Sequence, residues 1–230
     1  MKKQYKYLLF DADNTLFDFN TAEHRAFLVL SDIDSDVFSE ESYELYHKIN
    51  DRLWKRLEKR EITKDELKRL RFAELYSTLG RTASDETLNA IVKTYPRNLA
   101  LGSDLLSGVL ETVKELSERY SIYIITNGIY EVQTARLENS VIRPYVKHSF
   151  ISEKVGYEKP AKEFFDHVLE YIGDHNPDNY IVIGDSLSSD IDGAIASGID
   201  CVYYDPEDHG TDGRSVTFKI ADIRELLSII

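Results

Sequence analysis

Apolar and polar positions follow two rhythms along this chain, and the change of rhythm divides it. From about residue 18 to 95 apolar residues recur every three or four positions: Phe27, Leu30 and Ile33, then Leu45, Ile49, Leu53 and Leu57, then Leu67, Leu70, Phe72 and Leu75. That is the spacing of helix faces turned toward a core. Thr63 followed by Glu66 is a capping-box pattern that opens one helix, and Ser84 followed by Thr87 and Leu88 opens another. Pro96 disfavours a helical residue before it, so the last of these helices is predicted to end at Tyr95. The stretch contains one glycine, Gly80, and no proline, as an all-helical segment would.

The remainder has a shorter period. The runs YKYLLF, SIYIITNG at 121–128, NYIVIGDS at 179–186 and CVYYD at 201–205 are continuously apolar, β-branched or aromatic, and the last three end in Gly, Asp or Ser. Between them lie amphipathic helical patterns such as LLSGVLETVKELSERY and AKEFFDHVLEYIG. Strands without polar alternation, separated by helices, predict a parallel sheet covered on both faces. The fold expected is therefore α/β, a Rossmann-like parallel sheet flanked by helices. Residues 1–17 and 97–230 would form this core and residues 18–96 an inserted helical domain. The segment DPEDHGTDG at 205–213 reads as a long irregular loop.

Composition narrows the function. The 230 residues are 42% hydrophobic and 30% charged, with no run near the roughly 20 apolar residues that span a bilayer. The basic start, MKKQYKYLLFDAD, leads into too short an apolar run for a secretory leader. With a single cysteine, Cys201, no internal disulfide can form, and the expected location is the cytoplasm. Cys201 itself reads as a small buried hydrophobe. A net charge of −13 argues against a nucleic-acid polymer as partner, and no membrane partner is expected. It leaves room for a small phosphorylated molecule, whose charge a metal ion can offset locally.

In an open parallel sheet, ligands gather at the carboxyl ends of the strands. Here those ends carry Asp11 and Asp13, then Thr126 and Asn127, then Asp185, while Lys159 stands before Pro160 at a helix start. Asp11 and Asp13 would repel each other unless a cation or a proton intervenes. Asp11 and Asp185 offer hard oxygen ligands suited to Mg²⁺. A carboxylate can attack phosphorus, and Thr126, Asn127 and Lys159 supply the donors and the cation that a transferring phosphoryl group needs. Asp13 could protonate the leaving oxygen and later deprotonate water. Each residue alone has a plainer reading: Thr126 and Asn127 as turn formers, Lys159 on the surface, Asp185 as a helix cap, Asp190 facing water on a helix. Their joint occurrence in this order outweighs those readings.

The segments FDADNTLFDF, IITNG, GYEKPAKEFF and GDSLSSD resemble, in order, the motifs of the haloacid dehalogenase (HAD) superfamily of phosphotransferases. The resemblance spans residues 5 to about 205. It implies a HAD-like core with Asp11 as nucleophile and metal ligand, and Asp13 as general acid/base that also offers its backbone carbonyl to Mg²⁺. It also implies that Thr126 and Lys159 hold the phosphate, that Asp185 completes the metal site, and that Asp190 acts from behind by orienting Lys159 or a metal-bound water. The helical insertion resembles the superfamily's α-helical cap, which closes over the site and selects the substrate. The flanks, with alanine between the aspartates, QTARL after TNG, and ISEKVGYEKPAKEFF, resemble pyrimidine 5'-nucleotidases acting on nucleoside monophosphates, noncanonical ones included. Asn14 stands where glycine is usual in the superfamily.

Rival expectations are a dehalogenase, against which Asp13 argues, and a phosphomutase, which only the cap would exclude. Others are a phosphatase for a sugar phosphate or an acylneuraminate phosphate, and a non-catalytic binding protein, which would not need Asp11 or Lys159. In the cap, Trp54, Tyr43, Tyr46 and Phe27 lie where core packing competes with stacking on a base.

Overall fold

The computed structural model describes residues 3–230. Six parallel strands form one sheet: β1 (Tyr7–Phe10), β2 (Ser121–Thr126), β3 (Val146–Ile151), β4 (Tyr180–Gly184), β5 (Asp200–Tyr204) and β6 (Phe218–Ile220), in the order β3-β2-β1-β4-β5-β6. This is the doubly wound order, which reverses direction between β1 and β4 and opens a crevice at their carboxyl ends. The four strands read from the sequence are present. β3 and β6 join them at the two edges, where strands need carry less apolar sequence because one side is unpaired. In β3, VKHSFI, the exposed Lys147 and His148 interrupt the apolar run.

Alternate residues face opposite layers. Leu8, Phe10, Ile122, Ile124, Ile181 and Ile183 pack with Val109, Val113 and Leu116 of α5 (Val109–Ser117) and Leu226 of α10 (Leu226–Ile229). Leu9, Ile125, Val182 and Cys201 pack with Phe164, Phe165 and Val168 of α8 (Lys162–Ile172). Cys201 is buried, as its apolar flank predicts. Each fully buried Leu, Ile or Phe contributes about 1.5–3 kcal/mol, so the sheet is rigid where it carries the polar strand ends. The layers are completed by α6 (Tyr130–Glu138), α7 (Ser152–Val155) and α9 (Asp192–Ala196). Residues 205–217 contain no regular element.

The chain divides into two compact units, one formed by residues up to Asp18 with Ser103–Ile230, the other by Phe19–Gly102. The second unit is helical: α1 (Phe19–Leu28), α2 (Glu40–Glu58), α3 (Lys64–Thr78) and α4 (Asp85–Leu99). Thr63 and Glu66 form the predicted capping box, and Ser84 accepts from the Thr87 amide. Pro96 does not end α4, which continues to Leu99. Leu88, Ile91, Tyr95 and Leu99 form one buried stripe, and the Ala100 amide closes on the Pro96 carbonyl at 2.9 Å, so packing of the last turn outweighs the single amide that proline lacks. The unit therefore ends six residues beyond the boundary expected from the proline. Phe27 and Tyr46 are wholly buried in its core, while Tyr43 and Trp54 are partly exposed. Among the described residues no helix is long and apolar enough to cross a membrane.

Candidate active site

Three fully buried residues, Leu8, Leu9 and Phe10, carry the chain up the middle of the sheet, and the Asp11 amide extends the ladder by donating to the Ile183 carbonyl at 2.8 Å. The chain then turns back on itself. The Ala12 carbonyl accepts from the amides of Leu16 and Phe17, and Asn14 takes the left-handed conformation, φ 58°. Glycine or asparagine adopts that conformation most readily, which accounts for asparagine at this position. Asp11 is thereby fixed on a strand end and Asp13 in a tight turn.

Lys159 organises the cluster around Asp11. Its ammonium is 1% exposed and donates to Asp11 Oδ1 at 2.6 Å, Asp190 Oδ1 at 2.6 Å and the Ile125 carbonyl at 3.0 Å. Lys159 is not on the surface and Asp190 does not face water; both are buried because each neutralises the other. Asp190 lies in a π turn, Leu187–Ile191, and its second oxygen accepts from the Ser186 amide at 3.1 Å. A Cβ at residue 184 would lie 2.3 Å from that oxygen, so glycine in GDS is what lets the carboxylate reach inward. Asp185 follows β4 directly and accepts from the Thr15 hydroxyl at 3.1 Å. The cap of the following turn is Ser186, not Asp185.

Charge is unbalanced here. Asp11, Asp185 and Asp190 each place a carboxylate oxygen within 4.8 Å of the others, facing one lysine. Burial pushes Asp11 well above the usual carboxylate range; Lys159 pulls it down, and Asp190, Asp185 and Asp13 push it up. Burial, then the Asp190 charge, pushes Asp185 up to about 7, with the Thr15 bond opposing. Burial alone would lower Lys159, but Asp11 and Asp190 outweigh it and hold it protonated. Excess carboxylate oxygens beside a single ammonium are a donor set that fits a divalent hard cation such as Mg²⁺. The side chains gathered there are Asp11, Asp185 and Asp190, whereas the carboxylate of Asp13 is engaged elsewhere.

Asp13 accepts from Gln133 Nε2 at 2.6 Å and from the Arg136 guanidinium. Both partners belong to α6 and lie in the segment QTARL, where sequence alone assigns them no role. Their signal was spacing: residues three apart on a helix share a face. Thr126 Oγ1 accepts from the Gly128 amide at 2.9 Å, which leaves its own proton to donate. Asn127 uses both ends of its amide on the main chain of Lys159, accepting from its amide and donating to its carbonyl, each at 2.8 Å. Its side chain thus fixes Lys159, which then sets the ammonium.

Residues 5–198 match the haloacid dehalogenase-like hydrolase family. A pyrimidine 5'-nucleotidase, PynA of Streptococcus pneumoniae, is 35% identical over 98% of this chain and 95% of its own. A second, YjjG of Escherichia coli, is 29% identical over 99% of this chain and 98% of its own. A crystal structure of YfnB from Bacillus subtilis bound to magnesium is 33% identical and superposes with a TM-score of 0.90, covering 99% of both chains.

Proposed function

Because the chain belongs to the haloacid dehalogenase-like hydrolases, we propose that it is a phosphatase that removes the phosphate of pyrimidine nucleoside 5'-monophosphates through an aspartyl-phosphate on Asp11. As a phosphoric monoester hydrolase it is an enzyme of small phosphomonoesters. The observation that carries the mechanism is Asp11, fixed on the central strand end with the Lys159 ammonium 2.6 Å away.

In this reading Lys159 and the Thr126 hydroxyl hold the transferring phosphoryl group, and Asn127 serves through its grip on Lys159. An Asp11 oxygen attacks phosphorus, the bond to the substrate oxygen breaks, and Asp13 gives that oxygen a proton, releasing the nucleoside. Asp13 then takes a proton from the water that attacks the aspartyl-phosphate, freeing inorganic phosphate and restoring Asp11. Asp11 and Asp185, with the Asp13 carbonyl, would hold Mg²⁺, and Asp190 would hold Lys159 in place. When bound, the cation offsets charge on the phosphoryl oxygens and between the carboxylates. Pyrimidine nucleotides are named as substrate class because two full-length relatives are pyrimidine 5'-nucleotidases. The cytoplasmic location read from the lone cysteine goes with this proposal.

The test is phosphate release from a panel of nucleoside monophosphates and sugar phosphates with Mg²⁺, beside Asp11→Asn. Pyrimidine monophosphates should turn over fastest and the variant should be inactive. Turnover of sugar phosphates alone, isomerised product without free phosphate, or full activity in Asp11→Asn would overturn it.

A further inference from the structure

Asp13 is held more elaborately than a solvent-facing acid needs. Each oxygen has its own donor, Gln133 Nε2 on one and Arg136 on the other. Arg136 is fully buried, with its guanidinium 4.7 Å from the centre of the Phe17 ring, and Phe17 pairs with Asp13 across the turn. Gln133 is 5% exposed and fills the space above Gly128, where a Cβ would lie 2.2 Å from its Nε2. One face of α6 therefore holds the Asp13 carboxylate in the turn after β1, and its Gln133 is in turn packed over the TNG turn after β2.

Asp13 would otherwise choose among three staggered rotamers, since it sits in a turn with no helix or strand to restrict it. Proton transfer needs the carboxyl within hydrogen-bond reach of the leaving oxygen, and misplacement by about 1 Å can cost on the order of 10²-fold. A paired donor set removes that freedom. The Gln133 amide adds a property that a second cation would lack. It donates N–H to a carboxylate, and turned over it accepts from a carboxylic acid, so one side chain can serve Asp13 before and after it gives up its proton.

We propose that Gln133 and Arg136 are positioning residues that aim Asp13 at the leaving-group oxygen. This rests on the phosphatase reading, and leaving-group dependence separates the two. For the first irreversible step, phosphoryl transfer to Asp11, an aliphatic ester needs a proton on its leaving oxygen, whereas 4-nitrophenyl phosphate leaves as a stable phenolate. The kcat/KM of each ester is measured for the wild-type protein, Asp11→Asn, Gln133→Met, Arg136→Met and Arg136→Lys. In Gln133→Met the value should fall at least tenfold more for a nucleoside 5'-monophosphate than for 4-nitrophenyl phosphate. The loss should appear in kcat with KM little changed, and Arg136→Lys should recover part of the activity lost in Arg136→Met. Equal losses on both esters would make Gln133 and Arg136 merely structural and overturn the proposal. So would a loss confined to KM, or none. Should Arg136→Met fail to fold, Gln133→Met alone decides. Wild-type turnover that survives in Asp11→Asn would instead overturn the phosphatase reading.

Discussion

Each unit contains, among its described residues, a buried polar cluster, and these two are built on opposite principles. In the helical unit Glu23, fully buried on α1, accepts from Asn50 Nδ2 at 2.7 Å and from the Tyr43 hydroxyl at 3.2 Å, and pairs with His47 Nδ1 at 2.6 Å. Arg71 lies behind Asn50, 3.5 Å from its oxygen, over the rings of Tyr95 and Phe72. Glu23 and Asp51, whose carboxylate lies 3.6 Å from His47 Nε2, thus balance the two cations His47 and Arg71. At the carboxyl ends of the central strands three carboxylates face one lysine. A cluster whose task is to hold a fold settles its own charge, because an unpaired buried charge costs several kcal/mol. The core cluster leaves charge uncompensated, which costs stability unless a cation arrives, and that asymmetry points to chemistry at the core site and to structure at the helical one.

Removing an acid from each cluster should have opposite consequences. Asp11→Asn is expected to lower kcat on the order of 10⁴-fold or more. Its thermal midpoint should be unchanged or higher, because one of three crowded carboxylates has lost its charge; a large fall in Tm would erase the distinction. Lys159→Met should destabilise by about 3–5 kcal/mol in urea titrations, since it strands Asp11 and Asp190 without their cation. Glu23→Gln should leave turnover intact while lowering stability by about 1–3 kcal/mol, because His47 then loses a charged partner and the cluster keeps its donors buried.

Two smaller effects come from pH. Asp185, raised from 3.8 to about 7, holds a proton in the folded chain across that window that the unfolded chain has lost. Its contribution to stability is therefore present below pH 3.8 and lost as pH rises through 7, and cation binding, which needs the carboxylate, gains in the same direction. The rise in Tm on adding Mg²⁺ should be larger at pH 8 than at pH 5.5, and a rise independent of pH would argue that Asp185 does not face the cation. His47 loses stability in the same direction, but at higher pH and by giving up a paired charge. Its bond to Glu23 raises it from 6.5 to about 9, with burial opposing, so its stabilising charge is intact below pH 6.5 and lost as pH climbs through 9. Because His47 is partly exposed, the Tm should drop only about 2 °C between pH 6.5 and 9.5, and His47→Gln should flatten that slope.

Local sequence carried most of the fold. Period alone separated the sheet from the helical insertion, and the caps at Thr63 and Ser84 are where their side chains place them. It was weakest where neighbours across space decide: β3, whose exposed Lys147 and His148 hide its apolar side, and α4, whose buried Tyr95 and Leu99 carry the helix through Pro96. The same division runs through the site. The residue types at the strand ends, Asp11, Thr126 and Asp185, together with Lys159 before a helix, were legible because hard ligands, a hydroxyl and a cation suit phosphoryl transfer. Their partners were not, since a hydrogen bond between Asp13 and Gln133 joins positions 120 residues apart.

The sequence by itself determined which chemical groups stand at the carboxyl ends of the strands, because a parallel sheet exposes whatever follows its apolar runs. Only the tertiary structure decided how those groups divide their work. It buried Lys159 between two carboxylates, gathered Asp190 with Asp11 and Asp185, turned Asn127 toward the main chain of Lys159, and tied Asp13 to α6. The physical reason is that burial and pairing set the charge and direction of an ionisable side chain, and both are properties of what packs around it.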